Sequence, residues 1–406
     1  MFKTKKTDVI ISGAGAAGLS MALLLARAGL TSIIIDPMSK PANAQLKLGA
    51  VNDDIGTRTT ALMNDCLETL EHAGVLDVIT PFSEDLRSLQ IIDSGKTSDK
   101  GIIFTAEEIN LPRFGMNIPN KILSKALLNA ALKNKYITLI FETKLESYSC
   151  DAQHAHVTLD NGKTLTTQLL IGADGRNSTT RTLAGITHTQ KSTDQAALTC
   201  HLQASAHHQY ISTEYHYNGG PFTLVPLPDN HVSLVWVEKN ETAEHWLGQD
   251  KAAIESEINR LSKDLLGPLT LMSTLDTTPL ISMQADALTA NRLALIAEAA
   301  HVLHPMGAQG LNASLRDVQS LADIIIDAAG CGIDFASPVI LEKYAKSRQK
   351  DGALRNQFSF GLNKMVANNA KSLKIMRRLG LDVLTSHSHL RHILMQYGLA
   401  PYNIAK

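Results

Sequence analysis

Cysteine is scarce and poorly placed for chemistry. Cys66, Cys150, Cys200 and Cys331 are spread along 406 residues with no C-x-x-C pair. That spacing excludes a zinc ribbon and a thioredoxin-type redox centre, and the four read as reduced thiols of a cytosolic protein. Neither sign of charge is in excess. Lys+Arg 38 against Asp+Glu 39 leaves a net charge of -1, which gives no electrostatic footprint for nucleic acid. Long apolar runs are missing too. The most apolar helix pattern, Leu19 to Leu30, is broken by Arg27 and is too short to span a bilayer. The basic opening Met1–Lys6 is followed by Gly13, Gly15 and Gly18 in a strand-and-helix pattern, not by the apolar stretch of a signal peptide. A cytoplasmic protein is expected, soluble or peripheral at the inner face of a membrane. The 15 histidines form no H-E-x-x-H and meet no acidic cluster, so no metal is expected. No nucleophile elbow and no P-loop appear. The 8 tyrosines and 9 phenylalanines are too scattered to identify a ligand.

What is present is globular. Hydrophobic residues make up 44%, and the length suits two interlocked domains plus a tail. Val9-Ile10-Ile11 reads as a central parallel strand, followed by a helix from about Ala17 to Ala28 that stops at Gly29. Ser32–Asp36 reads as a second strand. Helical patterns follow around Thr59–His72 and Lys121–Lys133, and a β-meander over Thr138–Leu170. From Ala196 to Glu238 apolar and polar residues alternate between turns, as in an antiparallel sheet with one covered face. A helix over Asp250–Leu265, a buried strand at Arg292–Ile296, a long helix over Asn312–Ala329 and a helical tail complete the pattern. The expected architecture is α/β. A Rossmann-type dinucleotide domain is interrupted by an inserted antiparallel β-sheet and followed by a helical C-terminal region. Its segments are 1–75, 102–180 and 281–350 for the nucleotide domain, 76–101 and 181–280 for the inserted domain, and 351–406 for the tail.

Three glycine-bearing segments carry chemistry. In Gly13-Ala14-Gly15-Ala16-Ala17-Gly18, Gly13 permits the tight turn, Gly15 lets the backbone approach a pyrophosphate, and Gly18 allows close helix–strand packing. The free N–H groups of the helix start, at Ala16 and Ala17, offer partial positive charge to phosphates. Asp36 ends the next strand, where a carboxylate meets a ribose hydroxyl. The second segment, Gly172-Ala173-Asp174-Gly175-Arg176-Asn177-Ser178, also follows a strand. The third runs Glu298 to Asn312, with Gly307 and Gly310 opening the backbone before a helix. It suits a second phosphate or the edge of a flavin, and equally a plain helix N-cap at Asn312. His301 and His304 read equally as satisfied loop residues and as catalytic groups.

In order and spacing, these motifs resemble the class A flavin monooxygenases of the p-hydroxybenzoate hydroxylase fold, and among them the ubiquinone-biosynthesis hydroxylases. Arg58-Thr59-Thr60-Ala61-Leu62 and the stretch Gly310–Asp317 strengthen the likeness, which covers the whole chain. It implies noncovalent FAD held by Gly13, Gly15, Ala16, Ala17 and Gly18 at the pyrophosphate and by Asp36 at the adenosine ribose. Arg58 would lie near the phosphates. Asp174 would serve FAD and the approach of the nicotinamide cofactor. Gly310, Leu311 and Asn312 would lie against the isoalloxazine. Glu298 stands where the family usually has an Asp, and Lys121 where relatives often have an Arg. No residue is assigned to catalysis; His304 and Pro305 are the candidates. With only one dinucleotide fingerprint, NADPH or NADH is expected to visit, reduce the flavin and leave. O₂ would then supply one oxygen atom to a phenol ring. A polyprenylated phenol, a precursor of ubiquinone, is the implied substrate, with Phe222, Leu224, Pro226 and Leu227 as pocket candidates that read equally as sheet core. Partners would be other quinone-biosynthesis proteins or the membrane surface. A small phenolic substrate, or a degenerate flavoprotein acting as a scaffold, are the alternatives.

Overall fold

The computed structural model describes residues 5–40, 55–93, 101–303 and 309–349, together with 391, 392 and 395. The chain opens with β1 (Lys5–Ser12), α1 (Ala16–Arg27) and β2 (Ser32–Ile35). Next come β3 (Thr59–Met63), α2 (Asn64–His72), the short α3 (Leu76–Ile79), β4 (Glu84–Leu86), β5 (Ser88–Asp93), β6 (Ile102–Thr105) and β7 (Gly115–Pro119). They are followed by α4 (Asn120–Lys133), β8 (Ile137–Ile140), β9 (Leu145–Cys150), β10 (Ala155–Leu159), β11 (Thr164–Gly172) and α5 (Thr179–Leu183). The middle of the chain supplies β12 (His188–Ala204), β13 (Ile211–His216), β14 (Pro221–Leu227), β15 (His231–Lys239), α6 (Asn240–Leu247) and α7 (Lys251–Ser262). Then β16 (Leu269–Leu271), β17 (Asp276–Ala285), β18 (Thr289–Ala290), β19 (Leu293–Leu295), β20 (His301–Val302) and α8 (Gln309–Gly330) close the described fold.

The first sheet runs β18-β19-β11-β1-β2-β8, with the β9–β10 hairpin extending from β11. Its centre is parallel: β1 lies between β11 and β2, with Val9, Ile10 and Ile11 fully buried. A strand covered on both faces needs such a continuous apolar run. α1 packs beside it against α4 and α8, and Gly29 at φ +79° ends α1's last turn as expected.

The second sheet runs β20-β17-β12-β15-β14-β13-β5-β6, with β16 on β12. Here alternation places one row of side chains under α6 and α7. Phe222 meets Trp236 edge to face at 6.0 Å, and Ile254 and Ile258 cover them. A small third sheet, β3-β7-β4, packs on β14 and on α2, α4 and α8.

Three elements differ from the sequence reading. Thr59–Met63 is a strand and not the start of a helix. Its β-branched pair Thr59-Thr60 aligns with Pro119 and Ile118 of β7, a distant partner that local periodicity does not reveal. The meander begins only at β9, because β8 pairs in parallel with β2. The inserted sheet is antiparallel except for β13, which pairs in parallel with β5 from a remote stretch of chain. The tail predicted beyond residue 350 lies outside the described residues apart from 391, 392 and 395. Among the described residues no helix is long and apolar enough to cross a membrane.

Candidate active site

The glycine loop is built by close backbone contact. The Gly13 N–H donates to the Ile35 carbonyl at 2.8 Å, and Gly13 takes φ +109°. A Cβ on Gly13 would lie 2.3 Å from the Ala173 carbonyl oxygen, and one on Gly18 would lie 2.0 Å from the Gly13 carbonyl oxygen. Both positions therefore need glycine for packing alone. Gly15 is different: a Cβ there meets nothing within 4 Å. It caps α1 with no side-chain hydrogen bond and no acidic residue in the first turn, so the helix start is left open to an anion. Asp36 braces this loop, its Oδ2 accepting from the Ala14 N–H at 2.5 Å and its Oδ1 from the Met38 N–H at 2.8 Å.

Two further loops converge on the same place. After β11, Asp174 accepts from both the N–H and the hydroxyl of Thr180 at 2.9 Å and from the Ser178 hydroxyl at 2.5 Å, which anchors the turn to α5. The buried Arg181 then ties this turn to the loop after β19, donating to the Ala299 carbonyl at 3.0 Å and the Arg176 carbonyl at 2.9 Å. Asp317 on α8 holds the last loop from the other side. It is fully buried and accepts from the Ala297 N–H at 2.9 Å, from His301 Nε2 at 2.7 Å and from Arg348 Nε at 2.6 Å. Burial pushes the Asp317 carboxyl up, but His301 and Arg348 outweigh it and hold the pKa below its ordinary 3.8.

The loops open onto a cavity of about 570 Å³. One wall is the helix start at Gly15, Ala16 and Ala17, with Gly175 and Arg176 beside it and Gly310 and Leu311 from α8. Arg58, exposed, makes no side-chain hydrogen bond among the described residues and also lines this wall. So does Glu298, which meets Arg176 Nε at 3.4 Å. The opposite wall is the second sheet, presenting Thr199, Glu214, Thr223, Val225, Val235 and Thr278. An apolar end is made by Met63, Leu86, Leu89 and Phe114.

Residues 6–357 match the FAD binding domain family. The chain belongs to that family. Similar proteins include the ubiquinone hydroxylase UbiL of Rhodospirillum rubrum, 28% identical over 97% of this chain and 90% of that protein. The 3-demethoxyubiquinol 3-hydroxylase of Escherichia coli is 26% identical over 97% of this chain and 98% of that one. Among solved structures, p-nitrophenol 4-monooxygenase PnpA from Pseudomonas putida superposes with a TM-score of 0.78, at 17% identity over 98% of this chain and 99% of the other. Together they make this chain a class A FAD-dependent monooxygenase with the p-hydroxybenzoate hydroxylase fold.

The FAD family's site can be tested on the geometry. The space beside Gly15 and the uncapped start of α1 fit a pyrophosphate, and the Arg58 guanidinium, without a side-chain partner among the described residues, lines the same cavity. The structure gathers Gly15, Ala16, Ala17, Arg58, Glu298, Gly310 and Leu311 on one wall. Gly13, Gly18, Asp36 and Asp174 stand behind it as supports. Lys121 is exposed beside Gly56. Asn120, Leu123 and Ser124, a quarter-turn away on α4, face the cavity in its place. Asn312 turns away and clamps α8 to β3: its Oδ1 accepts from the Met63 N–H at 2.8 Å and its Nδ2 donates to the Ala61 carbonyl at 2.7 Å. His304 and Pro305 lie outside the described residues.

Phe222, Leu224, Pro226 and Leu227 do not line the cavity. Phe222 and Leu224 belong to the core beneath α6 and α7, while Thr223 and Val225 face the cavity. Alternation along β14 turns Phe222, Leu224 and Pro226 away from the cavity, while Leu227 shares the face of Thr223 and Val225 but is not among the lining residues. Thr199, Glu214 and Thr278 were missed because a polar residue on an alternating strand reads as solvent-facing until the other wall is known. Arg181 and Asp317 were missed as functional side chains because nothing local distinguishes a buried ion from a surface one.

Proposed function

We propose that this chain hydroxylates the ring of a polyprenylated phenol in ubiquinone biosynthesis, using NAD(P)H as transient reductant and O₂ as oxygen source. The cavity carries the reading: it joins the phosphate-ready loop of α1 to the polar face of the second sheet and to an apolar end at Met63, Leu86, Leu89 and Phe114. A lipophilic phenol has the same division. The names of the relatives from Rhodospirillum rubrum and Escherichia coli support the pathway.

When bound and reduced, FAD supplies the activation of O₂ and the delivery of one oxygen atom. The chain supplies the rest. The N–H groups at Ala16 and Ala17, with Arg58, hold the phosphates, and Asp36 keeps lone pairs for the adenosine ribose beyond those it gives the loop. Glu298 and the backbone of Gly310 and Leu311 would hold the flavin, and Asp174 would shape the site from behind by fixing the turn that carries Gly175 and Arg176. The sheet keeps the ring against the flavin and keeps water out. A cytoplasmic protein working at the inner face of the membrane, beside other quinone-biosynthesis proteins, follows from a substrate of this kind.

The test is a deletion strain grown under ¹⁸O₂ with and without the restored gene. Restoration is expected to introduce label into the quinone ring and to remove an accumulated prenylated intermediate. Unchanged quinone levels on deletion, with no such intermediate, would overturn the reading. A purified protein that stays colourless with added FAD would point instead to a scaffold.

A further inference from the structure

The second sheet puts seven strands into the cavity wall: β5, β12, β13, β14, β15, β17 and β20. Among the described side chains it presents there, Glu214 alone is ionisable. Its direction is set from behind. Tyr215, the next residue, is fully buried on the opposite face, and its hydroxyl donates to the Ser262 carbonyl of α7 at 2.7 Å. A one-residue slip of β13 would drive Glu214 into that apolar core, so the anchor of Tyr215 holds the carboxylate toward the cavity. Across the sheet Glu214 stands opposite Thr223, Thr223 opposite Val235, and Val235 opposite Thr199. The carboxylate thus ends a row crossing the sheet's polar face.

Glu214 is held as well as aimed. His216, two residues on and on the same face, lies with Nε2 2.7 Å from Glu214 Oε1. A carboxylate only accepts, so in this contact the imidazole presents Nε2–H. The His216 side chain is 6% exposed and that of Glu214 16%. Asp93 of β5 pairs with His216 in the register of the parallel strands and is itself buried. Glu214 Oε2 has no partner among the described residues. The wall therefore offers one rigid, anionic acceptor at a half-shielded position, where an unmatched ligand group is costly.

Such an acceptor selects chemistry. It takes a hydrogen bond from a hydroxyl and repels a carboxylate. The arginines of the cavity, Arg58 and Arg176, lie on the opposite wall, where the cofactor's phosphates compete for them and Glu298 already faces one. Among the described residues, an aromatic acid would meet no Lys or Arg on the sheet side of the cavity. We propose that Glu214, positioned by His216, reads the ring hydroxyl of the substrate, and by doing so admits neutral phenols and rejects aromatic carboxylates. The hydrogen bond also shifts electron density from the O–H onto the ring carbons ortho and para to it, the direction an electrophilic oxygen atom requires; no net proton transfer is needed. This inference rests on the phenolic reading above and narrows it.

The test uses the FAD-loaded protein and equilibrium dialysis with three probes: 2-geranylphenol, its methyl ether, and the benzoate bearing the same geranyl group. The wild type is expected to bind the phenol about ten- to a hundredfold more tightly than either of the others. Glu214→Leu is expected to erase both preferences. Glu214→Gln, nearly isosteric and still an acceptor, is expected to keep part of the preference over the ether and to lose the rejection of the benzoate. Flavin content and thermal unfolding show that each variant is folded. A Glu214→Leu protein that keeps the wild-type preferences overturns the inference and leaves the phenolic reading standing. A wild type that binds none of the three probes overturns both.

Discussion

At the scale of single residues, three glycines with one motif do two different jobs. Side chains at Gly13 and Gly18 would strike backbone at 2.3 Å and 2.0 Å, whereas one at Gly15 would enter open space. Gly15→Val is therefore expected to fold with near-normal thermal stability and to lose FAD, because the valine occupies the volume the pyrophosphate needs. Gly18→Val is expected to lose both. Flavin absorbance of the purified proteins and unfolding of the apo forms separate the cases, and a yellow Gly15→Val protein would remove this loop from the cofactor site. Glu298 gives a second contrast. Glu298→Asp is expected to retain FAD, and Glu298→Leu to lose affinity by about tenfold, as when one polar contact to a ligand is removed. Equal FAD retention in both would show that this carboxylate does not touch the cofactor. The packing roles of Gly13 and Gly18 were legible in the sequence because a tight turn and a close helix–strand approach leave no room for a side chain. Thr223 and Val225 were not, since which face of β14 meets the cavity depends on α6 and α7.

At the scale of elements, the start of α8 is clamped twice, by Asn312 to β3 and by Asp317 to the loop after β19. Removing Asp317 leaves Arg348 and His301 facing a buried gap. Asp317→Ala is expected to cost about 3–5 kcal/mol in denaturant unfolding, in the range for a broken buried ion pair. The folded protein holds this carboxyl below its ordinary pKa of 3.8, so the folded state binds the proton less readily than the unfolded one. The stabilisation is complete above that ordinary value and is lost as pH falls from there through the lowered folded-state pKa. The stability gap between wild type and Asp317→Asn should therefore shrink on acidification below 3.8. A gap that is unchanged across that window would show that the charge contributes nothing. Elements were legible where one face is continuously apolar, as in β1 and α1. They were misread at Thr59–Met63, where pairing with a strand more than fifty residues away decides the conformation.

At the scale of the whole molecule, the wall assigned to FAD collects residues from α1, β3, the turn after β11, the loop after β19 and α8. A ligand bridging so many segments binds the folded state alone, and it stabilises that state by about 2.7 kcal/mol at a hundredfold excess over Kd. FAD is expected to raise the melting temperature of the apo protein in a concentration-dependent way, and to leave that of Gly15→Val unmoved. No shift in the wild type would mean that these segments are not joined through the cofactor. The two-part architecture was legible from the change between continuous and alternating apolar patterns. The parallel pairing of β5 with β13 was not, because strand order is set by tertiary contact and not by local pattern.

The central sheet takes strands from distant stretches of the chain: β1 at Lys5–Ser12 shares β11 with β19 at Leu293–Leu295. A ribosome delivers these strands in order, so the emerging polypeptide exposes the β11 edge, with Leu169, Leu170 and Ile171, throughout synthesis of the inserted sheet. For that interval the protein is an unfinished sheet with an adhesive border, the kind of surface that recruits holding chaperones or pairs wrongly with a neighbour. Polypeptides stalled before Leu293 should then be protease-sensitive and chaperone-bound, and those stalled after α8 has emerged should be neither.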